Sequence, residues 1–345
     1  MLKLLDLYCG MGGLSFGFAY ALKNAEILGL DIDEKAVETY NLNLSKYRAR
    51  AEVADVLEWE PRGEYDVVFG GSPCQPFSTA NTKKRGERHE LFPTLSRFFD
   101  IVGELKPKAF LLENVKGAAS RKNKPYLEKQ LEKVKGDYAA DYRVLNAAFY
   151  GVPQRRERLI TIGIRRDLGR KPEFPKETHN AESWVVLKEA IGDLLETAPA
   201  VAIGKIEQTS RDALAHVPDH LLLEKGGWAN GKSDWGSRVM RLESPAYTIT
   251  EKHRSGQLVP IHGKESSFRR LTVRECMRIQ SFPDWWTFPD GVSVSRKYKL
   301  VGEAVPPILA YRLAVALGRA LGLEVNLNPK KEDWQLPYFE RAFCC

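Results

Sequence analysis

The stretch DLYCGMGG, residues 6–13, closes an apolar run that begins at Leu2 and turns on three glycines into the helical pattern Leu14 to Leu22. A buried strand that ends this way lets a ligand come close to the backbone, because glycine tolerates the dihedrals such a turn needs. The spacing is not the GxGxxG fingerprint of pyrophosphate binding, so a nucleoside without a diphosphate fits better than a dinucleotide.

Outward from this turn, Glu26 to Leu30, Asp66 to Phe69, Ala109 to Leu112 and Leu159 to Ile164 read as further buried strands. Asp33 to Leu44, Phe92 to Leu105 and Tyr126 to Val134 carry helical spacing. Alternation of this kind predicts an α/β fold, a doubly wound and mostly parallel Rossmann-like sheet whose ligands sit at the carboxyl ends of its strands. From about Arg170 to Phe268 the rhythm breaks into polar segments with scattered Trp and Gly, which predicts a smaller, irregular, β-containing domain. A helix from Thr272 to Ile279 and a helical run from Pro306 to about Leu321 follow. The last run suits packing against the first domain, so the expected division is 1–172 with 295–345, against 173–294. The tail after Leu323 carries no pattern.

The chain has 345 residues, enough for a large domain and a smaller one whose cores need no disulfides. Its five cysteines, at 9, 74, 276, 344 and 345, show no paired CxxC spacing, so no metal site is expected, and they read as reduced thiols of a cytoplasmic protein. The N-terminal MLKLLDLYCG lacks the features of a signal peptide, and no window approaches the ~20 continuous apolar residues of a membrane span. Lys and Arg outnumber Asp and Glu by 52 to 45, for a formal charge of +7. That suits a polyanionic partner, although on charge alone a basic protein with no such partner fits equally well.

Chemistry gathers where strands end. Asp31, after the second strand, is placed to accept hydrogen bonds from ribose hydroxyls, and Asp55, after the third, to meet an adenine amino group; with the glycine turn they make S-adenosyl-L-methionine the leading cofactor. The strand Tyr65 to Phe69 delivers GGSPCQPFS, residues 70–78, to the same edge. Cys74 there is either a nucleophile or a buried structural thiol. Glu113 in FLLENV ends another strand, and Arg155, Arg156 and Arg158 in QRRER precede the next. Taken singly each is a solvated charge; a thiol, an acid and arginines beside a methyl donor form a catalytic constellation.

In order along the chain, DLYCGMGG, DIDEKAVETYNLN, GGSPCQPFS, LLENVKG, YGVPQRRERL, RRLTVRECMRIQSFPD and YKLVGEAVPP resemble the motifs of DNA cytosine-5 methyltransferases of the prokaryotic restriction-modification type. The resemblance spans the chain apart from the middle of the second domain and the tail. It implies a catalytic S-adenosylmethionine-binding domain, a target-recognition domain at 173–294, and a monomer acting on double-stranded DNA, with a restriction endonuclease acting on the same site. It implies that the Cys74 thiolate adds to C6 of a flipped-out cytosine while Glu113 holds or protonates N3. C5 then attacks the methyl group, with Arg156 and Arg158 stabilising the ring through O2. The cofactor contacts it implies are Tyr8, Gly10, Gly12, Asp31, Ile32, Asp55, Val56, Pro73, Leu91, Ala304 and Val305. Candidate DNA-facing residues are Gln75, Ser78, Lys83, Lys84 and Arg85 on and after the nucleophile turn, with Asn114 and Gln154. Arg238, Thr248, Thr250 and Lys252 join them from the divergent segment, where each charge alone also fits a plain surface.

One position departs from the family pattern: Glu303 stands in GEAV where the family has Asn, and an ionised Glu cannot donate a hydrogen bond. Two rivals share the scaffold. A transfer-RNA cytosine-5 methyltransferase would carry a Cys-Phe-Thr tripeptide in its recognition region, absent between Arg170 and Phe268. A catalytically inactive DNA-binding regulator would have no need of Cys74 and Glu113 together.

Overall fold

The computed structural model describes residues 1–77, 89–197, 238–250, 257–260 and 268–343. Two compact units emerge. The first comprises Met1–Asn146, Glu157–Lys176 and Pro307–Asn328; the second comprises Ala147–Arg156, Glu177–Pro306 and Pro329–Cys345. The boundaries differ from the expected ones in placing 147–156, the stretch up to Pro306 and the tail from Pro329 in the second unit.

The first unit is built on β1 (Leu2–Leu7), β2 (Ala25–Asp31), β3 (Ala49–Val53), β4 (Val67–Gly71), β5 (Ala109–Val115) and β6 (Tyr138–Asn146). After the short β7 (Gln154–Arg155), which belongs to the other unit, comes β8 (Glu157–Arg165). Their order is β3-β2-β1-β4-β5-β8-β6, and β8 runs antiparallel to both of its neighbours while β1 to β5 pair in parallel. Helices α1 (Gly13–Ala21), α2 (Glu34–Leu44), α3 (Pro93–Leu105) and α4 (Lys124–Glu132) supply the crossovers. The strands Leu4–Leu7, Val67–Phe69 and Ala109–Leu112 are buried residue after residue, as a strand covered on both faces must be. A core of Leu5, Leu7, Val68, Phe98, Phe99, Val102 and Phe110 fills the space between the sheet and α3. On the other face Phe18 of α1 stacks on Phe69 of β4, ring centroids 4.1 Å apart, and α1 packs against the helix Pro307–Leu321.

In the second unit β7 pairs in parallel with β10 (Ala246–Tyr247), while β11 (Gln257–Pro260) lies between β9 (Arg238–Val239) and β12 (Phe268–Arg270). The helix Val273–Ile279 opens on a capping box between Thr272 and Glu275. The tail, silent in sequence, buries Trp334, Leu336, Tyr338 and Phe339, and the Tyr338 hydroxyl donates to the Arg278 carbonyl at 2.5 Å. The helices Val294–Glu303 and Pro307–Leu321 together have the length and hydropathy that a membrane span needs, but they are interrupted by charged residues and 72% of the apolar window is buried, as in core helices.

Candidate active site

The first unit gathers five loop ends at the carboxyl edge of its parallel strands. At the end of β1, Tyr8 has φ 62° and Gly10 φ 53°, and Gly12, with φ 94°, caps α1. A Cβ on Gly12 would lie 2.6 Å from a Leu44 methyl, so both conformation and space call for glycine. The turn is pinned from β2: Asp31 Oδ2 accepts from the Gly10 amide at 2.8 Å, and Oδ1 accepts from Asp33 at 2.9 Å. Beside this carboxylate Ile32 exposes 68% of its surface, an apolar side chain held in solvent next to an acid. After β3, Asp55 is half-buried and caps its own turn by accepting from Leu57, while Val56 enters the core. Leu91 is half-buried just ahead of α3. A glycine turn, an acid, an exposed apolar side chain and a second acid fit the polar and apolar parts of an adenosine.

Burial dominates the titration of this edge. It drives the Asp6 carboxyl well above the usual carboxylate range, with a hydrogen bond from Ser15 at 2.6 Å opposing and the Asp31 charge reinforcing. Cys9, fully enclosed below the turn, has its thiol pushed up by burial and by Asp31 and Asp6, which suits a structural thiol.

The half-buried Cys74 follows β4 in a turn closed by the Phe77 amide donating to the Cys74 carbonyl at 3.0 Å. The turn is braced twice. Asn114 Nδ2 donates to the Ser72 hydroxyl at 2.8 Å and to its carbonyl at 3.2 Å. Phe77 anchors the far end by packing on Phe92 and Tyr126, and its carbonyl lies so close to Gly117 that a Cβ there would stand 2.1 Å away. The ladder sets Gly71 opposite Glu113, which brings the start of this turn and the carboxylate to one edge. Glu113 Oε1 is 2.9 Å from Nε of Arg158 on the antiparallel β8, the two side chains only 9% and 11% exposed.

The segment QRRER is extended, so alternate side chains point to opposite sides. Arg155 is exposed and lies over the Trp184 ring at 5.6 Å. Gln154 and Arg156 turn inward within the second unit. Arg156 Nη1 donates to the Ile249 carbonyl at 2.9 Å, and Nη2 donates to those of Gly302 and Ala304 at 3.1 and 3.0 Å. Gln154 accepts from the Ile249 amide and donates to Gln280, whose own amide holds the carbonyls of Val301 and Ala304.

Asn114, Gln154 and Arg156, candidates for facing substrate, are buried to 2% exposure or less in this structure, where their side chains hydrogen-bond backbone and neighbouring polar groups. Around the helix Val273–Ile279, Arg269 of β12 forms a buried two-pronged pair with Glu275, Arg278 binds Asp193 and Asp284, and Arg274 donates to the carbonyls of Asp284 and Trp286. Glu303 pairs with Lys299 one turn back at 3.5 Å. Pro73 and Gln75 are half-buried beside Cys74; Val305 is buried and Ala304 half-buried in the second unit. The Thr248 hydroxyl donates to the Arg155 carbonyl at 2.8 Å, and Thr250 is exposed. Ser78, Lys83, Lys84, Arg85 and Lys252 lie outside the described residues, and of Arg238 only the backbone, in β9, is described. Gln280 and Arg97 escaped the sequence reading, since nothing local marks a glutamine or arginine whose partners are distant backbone.

Residues 2–319 match the family model of the C-5 cytosine-specific DNA methylases. The chain is similar to the type II methyltransferase M.FnuDI of Fusobacterium nucleatum, 32% identical across 98% of this chain and 100% of the relative. It is also similar to M.AplI of Arthrospira platensis, 33% identical across 98% and 90%. Among solved structures, the Entamoeba histolytica methyltransferase EhMeth superposes with a TM-score of 0.64 at 18% identity, covering 93% of this chain and 99% of that one. The Spodoptera frugiperda DNMT2 mutant does so with a TM-score of 0.63 at 18% identity, covering 93% and 100%. At such identity these two speak for the fold.

Proposed function

Because the chain belongs to the C-5 cytosine-specific DNA methylase family, we propose that it transfers a methyl group from S-adenosyl-L-methionine to C5 of a flipped-out cytosine in a short sequence of duplex DNA, through a covalent Cys74 adduct. The membership makes it a DNA (cytosine-5-)-methyltransferase, acting on DNA. The observation that carries the finer reading is the doubly braced Cys74 turn with the buried Glu113–Arg158 pair at the same sheet edge.

Cytosine C5 is a poor nucleophile, and the Cys74 thiolate raises its electron density by adding to C6. Glu113, held by Arg158, hydrogen-bonds or protonates N3 and so accommodates the charge that this addition places on the ring. Arg158, whose cation sits at that carboxylate, stabilises the ring; Arg156 acts through the backbone it clasps. S-adenosyl-L-methionine, when bound, supplies the sulfonium-activated methyl group that C5 accepts. Gly10 and Gly12 would give it room, Asp31 and Asp55 would accept from its ribose and adenine, and Tyr8, Ile32, Val56, Pro73 and Leu91 of the same unit would enclose it. Loss of the C5 proton and elimination then release Cys74.

The first unit serves as the catalytic domain and the second as the target-recognition domain, whose exposed Thr250 and β9 residue Arg238 are candidate DNA contacts. As in the relatives named type II methyltransferases, we place the chain in a cytoplasmic restriction-modification system, working as a monomer on a site shared with an endonuclease. No observation favours the transfer-RNA or regulator reading.

The test is transfer of labelled methyl from S-adenosyl-L-methionine to unmethylated duplex DNA by wild type and Cys74→Ala, with modified positions located by sequencing. Cytosine modified in one context by wild type alone, and a wild-type adduct with 5-fluorocytosine DNA, are expected. Methylation surviving in Cys74→Ala would sink the covalent route.

A further inference from the structure

Two loops flank Asp31 at the carboxyl edge of the first unit, one after β1 and one after β3, and the first two turns of α3 touch both. The Tyr8 hydroxyl donates to the Thr94 carbonyl at 2.9 Å, and the Thr94 hydroxyl in turn donates to the Leu91 carbonyl at 2.7 Å. One turn on, Arg97 reaches the other loop. Its Nη2 donates to the Trp59 carbonyl at 2.6 Å and its Nε to the Val56 carbonyl at 3.3 Å, while Nη1 meets Glu104 two turns along the same helix face at 3.2 Å. The guanidinium is a planar fork whose donors are fixed relative to one another, so three partners at once define its position and, through it, that of the loop.

The 55–59 loop is seated by the buried Val56 side chain and by Trp59, which packs against the same core, and its backbone has few ties beyond its own turn. Its own bonds are local: Leu57 to the Asp55 carboxylate, and Glu58 and Trp59 to the Asp55 carbonyl. These shape the turn but do not fix its tilt against the sheet. The Ala54 amide, bonded to the Asp31 carbonyl at 2.9 Å, is the tie on the strand side, and Arg97 supplies the tie on the helix side. The Tyr8 hydroxyl is pushed up by burial, with the Arg97 cation opposing and the Asp55 carboxylate adding, so the three share one neighbourhood.

We propose that Arg97 is a positioning residue for the adenosine end of the cofactor site: by clamping the Val56 and Trp59 carbonyls to α3 it sets where the Asp55 carboxylate and Val56 side chain stand, and so sets cofactor affinity. The inference rests on the cofactor reading above.

The test is equilibrium dialysis of the full chain with S-adenosyl-L-methionine and with 5′-methylthioadenosine, which lacks the amino-acid half, for wild type, Arg97→Met, Arg97→Lys and Glu104→Gln. Steady-state methyl transfer to duplex DNA accompanies it. Arg97→Met is expected to weaken both ligands by the same factor, about tenfold, as fits the loss of a charge-assisted clamp. KM for the cofactor is expected to rise more than kcat falls. Arg97→Lys, a point charge that serves one carbonyl at a time, falls between, and Glu104→Gln loses least. Unchanged affinity in Arg97→Met overturns the inference, as does a loss seen with S-adenosyl-L-methionine and absent with 5′-methylthioadenosine. If Arg97→Met fails to fold, Arg97→Lys decides by the same criterion. A wild type that binds neither ligand brings down the cofactor reading together with the inference; wild-type binding that the variants match removes the inference alone.

Discussion

Glu113 on β5 and Arg158 on β8 are diagonal partners across an antiparallel ladder: Arg158 stands opposite Val115, two residues beyond Glu113, and its Nε meets the carboxylate at 2.9 Å. A nearly enclosed acid is thus oriented by a cation from the next strand. Glu113→Gln removes the charge and the acid at once and is expected to lower kcat by about 100- to 10,000-fold, the range for a lost general acid. Arg158→Ala should lower kcat and leave cofactor affinity within about twofold, since it touches none of the loops assigned to the adenosine. Single-turnover methylation with parallel equilibrium dialysis separates the two effects.

Arg156 makes the opposite case. Its guanidinium holds the Ile249, Gly302 and Ala304 carbonyls in a buried setting, and Arg156→Ala leaves them without that donor. The expected cost is about 3 kcal/mol of stability, because unmet buried carbonyls carry their desolvation penalty in full. Urea unfolding of the variant checks this, and a midpoint equal to that of wild type would show the clasp to be dispensable.

At Gly117 the test is steric. A Cβ would stand 2.1 Å from the Phe77 carbonyl, so Gly117→Ala must displace the end of the turn that carries Cys74. The rate of adduct formation with 5-fluorocytosine DNA is expected to fall by roughly 100-fold, as ångström-scale misplacement of a reacting group does. Cofactor affinity should hold, since β1 to β3 are untouched.

Asp6 gives a pH signature. Burial raises its folded-state pKa, so the folded chain keeps a proton that the unfolded chain releases above about pH 4. Its contribution to stability is therefore full below that point and is lost, at up to about 1.4 kcal/mol per pH unit, as pH climbs toward the folded value. Asp6→Asn has no such proton to lose. Denaturation midpoints of the two proteins should diverge in favour of the variant between pH 5 and 8 (about three units of the linkage slope at most), and parallel curves would show that Asp6 is ionised in the fold.

The sheet was readable where strands are buried on both faces, as in the continuous apolar runs Val67 to Phe69 and Ala109 to Leu112. β6 was not, because YAADYRVLN is an edge strand whose middle is exposed and polar, and its place beside β8 is a long-range fact. Cys74, Glu113 and Asp31 could be picked out from their position at strand ends. The arginines could not be sorted: alternation along an extended chain separates Arg155 from Arg156 and Arg158 but not those two from each other, and the targets of Arg156 lie more than ninety residues away. Arg97 reads as one more helical surface charge until the loop after β3 is seen against it.

The three-segment build of the second unit bears on any effort to exchange that unit between relatives. Its interior is knit from all three pieces: Gln154 with Ile249 and Gln280, His179 with the Arg341 carbonyl, Trp285 with that of Asp333, and Tyr338 with that of Arg278. The span 177–306 is therefore not a portable cassette. Transplanted alone, it would arrive without the β7 strand that orders Ile249 and without the closing wedge of Trp334 and Tyr338, and a working chimera has to carry the tail from Pro329 along with it.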